Sequence, residues 1–304
     1  MSAGDWLESV PGVRVDEALA RHSQFGVGGP ARWFTTTRDA GALGELLARC
    51  NQSGITVTML GAGSNALISD DGVDGLVIRH DDRTLLVVDD QTVELGAGCM
   101  MPRVALDCAP RGIAGLEFGI GVPGTCGASV SGNAGAFGTE IADVLVDCTA
   151  LAPDGAAVTL DAAACGFGYR DSRFKGDLRG HVVVSARLRV HRDDPALVRE
   201  RTDEVQAQRK ASQPYGVRSL GSVFKNPPGD TAGRLIEAAG LKGRRSGGAQ
   251  ISPKHANFIL NVDHATSADV LALVRVAHDE VHTAFGVDLQ REIVVLGPAA
   301  TGAA

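Results

Sequence analysis

A glycine-rich turn that follows a short predicted strand is the feature that most constrains the fold of this 304-residue chain. The run Gly61-Ala62-Gly63-Ser64-Asn65-Ala66 matches G-x-G-x-x-[GA], and residues 55–60 before it are predicted to form a strand. A Rossmann domain needs a helix directly after this turn, because the helix N-terminus holds a pyrophosphate. Only residues 67–69 follow before Asp70-Asp71-Gly72 turns the chain, so we exclude that fold. The turn is either a plain tight turn or a row of N–H donors suited to a diphosphate.

A second match to G-x-G-x-x-G occurs at residues 119–124, at the start of a Gly/Ala/Ser-rich stretch predicted to be a long loop over 119–138. A structural loop is the simpler interpretation. Two such loops in one chain favour the hypothesis that both serve a single long cofactor. No G-K-[ST] sequence follows either loop, which excludes a P-loop nucleotide site.

The remaining pattern alternates short strands and helices without the regular repeat of a doubly wound sheet, which predicts an α+β fold. Thr266 with Asp269 resembles a capping box, and Gly286 is suited to end the helix that follows. The expected helices cover residues 39–50, 195–210, 235–239 and 266–285, after a leader over 1–23 with a short helix of its own. The expected strands cover residues 76–78, 182–190, 258–262 and 287–296, with hairpins at 85–95 and 144–160 and a frayed tail at 297–304.

Composition excludes several classes of protein. A net charge of −7 gives no electrostatic reason to bind nucleic acid or an anionic membrane, so we expect neither partner. No apolar run approaches 18 residues, and the N-terminus lacks an apolar signal segment, which indicates a cytoplasmic protein. None of the six cysteines forms a C-x-x-C pair, so we expect reduced thiols and no metal site.

Four further segments could carry chemistry, and each also has a plain structural interpretation. Tyr169-Arg170-Asp171-Ser172-Arg173-Phe174-Lys175 is a solvated loop or a clamp for a carboxylate or phosphate through Arg170. The residues from Gly221 to Pro227 place a hydroxyl, a cation and an amide close together. His255 is a ligand contact or a satisfied loop histidine. Glu292, in the predicted terminal strand, projects to solvent or is partly buried.

Together these segments resemble one family, the UDP-N-acetylenolpyruvoylglucosamine reductases, also called UDP-N-acetylmuramate dehydrogenases. The similarity covers residues 22–297 and depends on the joint, ordered occurrence of several motifs. They are FGVGGPA at 25–31, LGAGSNALISDDG at 60–72, GVPGTCGASVSGNAGAFG at 121–138, YRDSRFK at 169–175, GSVFKNP at 221–227, GGAQISPKHANFI at 247–259 and REIVVLG at 291–297.

The resemblance implies a vanillyl-alcohol-oxidase-like (PCMH-type) FAD fold, with flavin subdomains at 1–82 and 83–210 and a substrate domain at 211–304. It implies bound FAD, NADPH as hydride donor and a nucleotide-sugar substrate, and we expect a monomer. It assigns Arg170 and Glu292 to the charge that develops on the substrate, and Ser222 to protonating its carbon. It assigns substrate contacts to Tyr169, Arg170, Lys225, Asn226, Gln250, His255 and Asn257. It assigns FAD contacts to Gly61, Ala62, Gly63, Ser64, Asn65, Ala66, Gly119, Gly121, Val122, Pro123, Gly124, Gly127, Ala128, Ser129, Asn133, Gly135 and Ala136.

Three positions depart from the family pattern. This chain has Gln24 where the family often has Thr, Cys126 where an apolar residue is usual, and Gly132 where Met is common. The chain also resembles the branch that lacks an inserted tyrosine loop, because one strand and one helix account for residues 176–212. Two other functions stay open. An FAD oxidase of the same fold acting on a small alcohol would not need the motifs at 169–175, 221–227 and Glu292. A non-catalytic nucleotide-sugar binder would not need Arg170, Ser222 and Glu292 together.

Overall fold

The computed structural model describes residues 4–298, which form two compact units. Within the described residues, the first unit comprises 4–14, 34–62 and 75–209, and the second comprises 15–33, 63–74 and 210–298. Most of the predicted tail, residues 299–304, lies outside the described residues, as do residues 1–3 of the predicted leader.

Helices of both units begin and end at residues that favour these positions. Asp39 accepts a hydrogen bond from the N–H of Ala42 at 2.7 Å and so caps the first helix. The helices are α1 (Ala40–Gln52), α2 (Met101–Cys108), α3 (Cys126–Gly132), α4 (Ile141–Val144), α5 (Ala162–Cys165), α6 (Pro195–Ser212), α7 (Ala232–Ala238) and α8 (Ser267–Phe285). Short 3-10 turns cover Asp5–Ser9, Leu19–His22, Ala109–Arg111, Glu117–Gly121 and Arg173–Lys175.

The strands are short, and most of them pair in an antiparallel sense. They are β1 (Arg14–Ala18), β2 (Pro30–Thr37), β3 (Val57–Met59), β4 (Ala66–Ile68), β5 (Val73–His80), β6 (Leu85–Val87), β7 (Thr92–Gly96), β8 (Ile113–Ala114), β9 (Gly135–Ala136), β10 (Thr139–Glu140), β11 (Leu145–Leu151), β12 (Ala157–Asp161), β13 (Val182–Arg189), β14 (His191–Arg192), β15 (Ser219–Ser222), β16 (Arg245–Ser246), β17 (Ala249–Ile251), β18 (Phe258–Asn261) and β19 (Val294–Leu296).

The first unit is built on a five-stranded sheet in the order β12-β11-β13-β7-β6. Its central strand β13 pairs with both neighbours, so that Ala186 lies opposite Cys148 on one side and Leu95 on the other. These three residues are almost fully buried in one apolar core with Met101 and Val130, from helices α2 and α3. The hairpin predicted around Pro153-Asp154-Gly155 is confirmed, and Gly155 has the positive φ of +84° that this turn needs.

The second unit has a sheet in the order β15-β18-β17-β16, with α7 and α8 sharing its apolar core. The capping box that Thr266 and Asp269 predict is confirmed, and Gly286 ends α8 with a φ of +68°. Asp70 also caps the N-terminus of α8. Its carboxylate accepts hydrogen bonds from the N–H of Ser267 at 2.9 Å and from the Ser267 hydroxyl at 2.7 Å.

Two predicted elements are wrong. Residues 119–138 are not one long loop, because α3 forms inside them once Cys126 and Gly127 donate their N–H groups to Cys99 and Ala97. The predicted strand over 287–296 is reduced to β19, which pairs in parallel with β4. Glu292 therefore lies just before the strand rather than within it. Other boundaries shift by a few residues, and β5 is longer than the predicted strand at 76–78.

Candidate active site

The first glycine turn, at residues 61–66, has no helix after it and runs directly into β4. Gly63 has a φ of +62°, and a Cβ there would lie 2.4 Å from the carbonyl oxygen of His22, so this position requires glycine. The backbone N–H groups of residues 61–64 donate no hydrogen bond to any acceptor within the described range 4–298. Successive N–H groups left without an acceptor are the donor set that an anionic diphosphate needs, so the turn fits such a ligand.

The second glycine loop approaches the first within the first unit. A Cβ on Gly61 would lie 2.7 Å from Thr125 Oγ1 and 3.5 Å from the Cβ of Ala128, which follow the predicted residues Gly119 to Gly124. Gly121 in turn packs on Ala136, whose Cβ would be 2.5 Å from a Cβ at position 121. Residues 125–128, directly after the second glycine motif, therefore lie beside Gly61 of the first glycine turn. The other predicted FAD contacts of this region are spread along the same stretch of chain. Val122, Pro123 and Gly124 precede α3, Gly127, Ala128 and Ser129 lie within it, Asn133 is its C-cap, and Gly135 and Ala136 form β9.

Arg170 occupies the tip of a tight turn in which Gly168 and Asp171 exchange backbone hydrogen bonds of 3.0 and 3.1 Å. Its φ of +54° is in the left-handed region, which non-glycine residues seldom adopt. The guanidinium nevertheless has well-defined neighbours. Nη2 donates to the carbonyl oxygen of Gly135 at 2.6 Å, and Nη1 lies 3.2 Å from Glu140 Oε1. Tyr169 lies beside it, with the guanidinium carbon 5.3 Å from the ring centre. The structure thus places Arg170 next to the predicted FAD segment rather than in a solvated loop.

Glu140 is a residue that sequence reasoning missed. Its Oε2 accepts a hydrogen bond of 2.8 Å from Asn133 Nδ2, while its Oε1 faces Arg170. Its position between a glycine-rich loop and an apolar turn gave no sign of this role, because the two partners are 7 and 30 residues away.

The residues after Ser222, at the end of β15 in the second unit, are fixed by a buried asparagine. Asn257 is only 3% exposed. Its carboxamide accepts a hydrogen bond from the N–H of Phe224 at 2.9 Å and donates one to the carbonyl oxygen of Phe224 at 2.8 Å. Its own carbonyl oxygen accepts from the N–H of Val223 at 2.9 Å. These three bonds hold the backbone between Ser222 and Lys225, so Asn257 shapes the segment that presents both side chains.

Glu292 joins the same assembly through its backbone. Its N–H donates to the carbonyl oxygen of Val223 at 2.8 Å, and its own carbonyl oxygen accepts from Asn65 Nδ2 at 2.9 Å. Glu292 is half-buried, which agrees with the partly buried environment and not with full exposure to solvent. Val223, directly after Ser222, thus belongs to one hydrogen-bond network with Asn65 and Glu292 in the second unit, although the three come from distant parts of the sequence.

The other predicted substrate residues of this unit have local partners. Asn226 Oδ1 accepts from the N–H of Ala232 at 3.1 Å, at the start of α7, and Gln250 Nε2 donates to the carbonyl oxygen of Gly243 at 3.1 Å. The His255 ring packs edge-on against Phe258 with 4.8 Å between ring centres. Burial lowers the pKa of His255, because the charged imidazolium loses hydration, and favours the neutral ring. Gln250 and His255 are not brought into contact with Ser222 or Glu292 by any of these bonds.

A membrane-spanning helix and a metal-binding cluster are both absent from the described residues. No helix between residues 4 and 298 is long and apolar enough to span a membrane. Within the same part of the chain, no group of three or more His, Cys, Asp or Glu side chains is placed to hold a metal ion.

Comparison with known proteins finds two family models in the chain. The model described as "UDP-N-acetylenolpyruvoylglucosamine reductase, C-terminal domain" matches residues 213–296, and that described as "FAD binding domain" matches residues 32–161. A UDP-N-acetylenolpyruvoylglucosamine reductase from Erythrobacter litoralis is 42% identical, with 96% of this chain and 90% of the relative covered. UDP-N-acetylenolpyruvoylglucosamine reductase 2 from Symbiobacterium thermophilum is 41% identical, with 94% of this chain and 92% of the relative covered. The crystal structure of the Thermus caldophilus reductase aligns with a TM-score of 0.80 at 35% identity, covering 94% of this chain and 98% of the other.

Proposed function

Because the chain belongs to the UDP-N-acetylenolpyruvoylglucosamine reductase family, we propose that Arg170, Ser222 and Glu292 carry out its chemistry. The fold is the PCMH-type FAD-binding fold, with mixed helices and strands. The enzyme is an FAD-dependent oxidoreductase that uses NADPH to reduce UDP-N-acetylenolpyruvoylglucosamine to UDP-N-acetylmuramate in peptidoglycan precursor synthesis.

FAD, when bound, supplies the redox chemistry, since it can accept a hydride from NADPH and pass it to the substrate. The chain supplies binding and orientation. The N–H groups of residues 61–64, which have no acceptor in the described part of the protein, fit the diphosphate of this cofactor. From the second glycine segment, Thr125 and Ala128 would lie beside the same diphosphate, because both are close to Gly61.

Reduction of the enolpyruvyl double bond places negative charge on the carbon next to the substrate carboxylate. A cation aimed at that charge acts mainly in the transition state, where it lowers the barrier. The guanidinium of Arg170 suits this task, because a guanidinium binds a carboxylate through two parallel hydrogen bonds. Its uncommon backbone conformation supports a functional interpretation, since such conformations concentrate at active sites.

We assign the proton that completes the reaction to Ser222 and the support of the developing enol to Glu292. A hydroxyl becomes an effective acid only when it is held in place and can relay a proton. The observation that carries this assignment is the 2.8 Å hydrogen bond from the Glu292 N–H to the carbonyl oxygen of Val223, directly after Ser222. It fixes the two proposed catalytic residues of the second unit to one short length of backbone.

For the nucleotide sugar we propose Lys225 as the cation that faces the diphosphate, with further contacts from Tyr169, Asn226, Gln250 and His255. Asn257 contributes by holding the Phe224 backbone, because its carboxamide is already engaged there. We further propose the domain division at residues 82 and 210, a monomeric enzyme and a cytoplasmic location.

The oxidase alternative is not favoured by the family match. The decisive experiment is the visible spectrum of the purified protein, followed by two additions. We expect a flavin band that bleaches with NADPH and returns when the enolpyruvyl substrate is added without oxygen. A flavin that returns only with oxygen would support the oxidase, and a protein that takes up no FAD would support the non-catalytic binder.

A further inference from the structure

Glu140 links two of the residues of the first unit that have left-handed backbones, Asn133 and Arg170. Arg170 and Asn133 have φ angles of +54° and +45°, in a region that costs non-glycine residues free energy. One carboxylate contacts both of them, with Oε1 3.2 Å from Arg170 Nη1 and Oε2 2.8 Å from Asn133 Nδ2. The Glu140 carboxylate can therefore fix the orientation of the Arg170 guanidinium.

The main chain of Glu140 is held in a short hairpin beside Arg170. In the β9–β10 pair Glu140 lies opposite Gly135, whose carbonyl oxygen accepts from Arg170 Nη2 at 2.6 Å. A Cβ on Gly135 would lie 2.6 Å from Glu140 Cγ, so the glycine makes room for the side chain. The N–H of Glu140 donates to Asp143 Oδ2 at 2.8 Å. The Arg170 guanidinium is therefore held by two residues that face each other in one hairpin, Gly135 and Glu140.

Asn133 extends this support to the turn that carries Arg170. Its Nδ2 also donates to the carbonyl oxygen of Gly168 at 2.9 Å, and its Oδ1 accepts from the N–H of Ala142 at 3.0 Å. Removal of the Glu140 carboxylate would therefore loosen mainly the Arg170 guanidinium, because Asn133 keeps its bonds to Gly168 and Ala142.

We propose that Glu140 is a positioning residue that acts through Arg170, fixing the guanidinium in the orientation that meets the substrate carboxylate. The inference depends on the role that we propose for Arg170 in reduction of the substrate. Arg170 and Glu140 are 21% and 32% exposed, so water screens their charges only in part and the pair can keep its geometry. Misplacing a catalytic group by about 1 Å can cost a factor of about 100 in rate.

The test measures the two half-reactions separately by stopped-flow absorbance. For Glu140→Ala we expect FAD content and flavin reduction by NADPH within about twofold of the wild type. Reoxidation by saturating substrate is expected to slow by about 10–100-fold. Glu140→Gln, which keeps one acceptor, should recover part of this loss. Asp177→Ala is the matched control, because it breaks the exposed Arg173–Asp177 pair of 2.6 Å seven residues further on and should leave both steps unchanged.

A double variant separates positioning from general support of the fold. If Glu140 acts through Arg170, then Glu140→Ala should slow reoxidation no further once Arg170→Ala is present. Equal slowing of both half-reactions with a lower melting temperature would show a structural role and overturn the inference. Wild-type reoxidation in Glu140→Ala together with slow reoxidation in Arg170→Ala would overturn it as well and leave the role of Arg170 intact. Wild-type reoxidation in Arg170→Ala would instead refute the proposed function of Arg170.

Discussion

Asn65 and Glu292, 227 positions apart in the sequence, meet through a 2.9 Å hydrogen bond from the Asn65 carboxamide to the Glu292 carbonyl oxygen. The N–H of Val294 returns a bond of 2.9 Å to the carbonyl oxygen of Asn65. The parallel pair β4–β19 continues directly from this point. The glycine turn that fits a diphosphate is thus bonded to the main chain of residues 292–294. Because both bonds use main-chain atoms there, replacing the Glu292 side chain leaves them in place.

Ser222→Ala should separate the two half-reactions. The hydroxyl is needed only after hydride has left the cofactor, so NADPH should still bleach the flavin at a near-normal rate. Reoxidation by the substrate should slow by about 10²–10⁴-fold, the range for loss of a positioned general acid. Stopped-flow absorbance measures each step, and Ser246→Ala in β16 serves as control. Equal slowing of both steps would mark Ser222 as structural.

Lys225→Ala should weaken substrate binding far more than flavin reduction. A charged hydrogen bond to phosphate contributes about 1.5–3 kcal/mol, which corresponds to roughly a 10–150-fold rise in Kd. Titration of the flavin spectrum with substrate measures this affinity. Lys242→Ala is the control, since Lys242 pairs with Glu237 at 2.7 Å. An unchanged Kd in the Lys225 variant would place the diphosphate elsewhere.

Asn257→Ala should destabilise the protein by about 2–4 kcal/mol, because the buried N–H and carbonyl oxygen of Phe224 both lose their partner. The loosened backbone between Ser222 and Lys225 should also slow reoxidation by substrate. Urea unfolding gives the stability, and Asn51→Ala at the exposed end of α1 is the control. A fully stable Asn257→Ala protein would show that this asparagine does not hold the segment.

The cysteines should be unreactive in the folded protein. All six are free and buried, and burial raises the pKa of Cys50, Cys99 and Cys108 to about 11, because a thiolate is poorly solvated there. At pH 8 an aromatic disulfide reagent should label none of them within minutes, but all six after unfolding in urea. Rapid labelling of the native protein would contradict this.

The raised pKa values of these buried thiols also make the free energy of unfolding depend on pH. An unfolded thiol has a pKa of about 8.5, so the folded protein binds these protons more tightly. The stabilisation from the neutral thiols is complete below that pH and is lost as the pH rises towards 11. Urea midpoints should therefore fall between pH 8.5 and 10.5, and replacement of Cys50 by alanine should reduce the slope.

The sequence alone determined those features that depend on neighbouring residues. The capping box of α8 and the glycine that ends it, the hairpin at residues 153–155, and the missing helix after residue 66 all follow from local hydrogen bonds and backbone preferences. The ordered motifs along the chain also identified the family, because their joint occurrence is specific although each alone is weak. The roles of individual site residues stay predictions until the variants are measured.

Only the tertiary structure decided which distant groups meet. Helix α3 forms in a glycine-rich stretch because Cys99 and Ala97 accept the N–H groups at its start, and Glu292 leaves its predicted strand because Val223 and Asn65 hold its backbone. Glu140 could not be singled out from the sequence, since its carboxylate gains a function only when a turn 30 residues away brings Arg170 to it. The physical reason is that local preferences amount to a kcal/mol or less per residue, and long-range hydrogen bonds and packing of similar or larger energy override them.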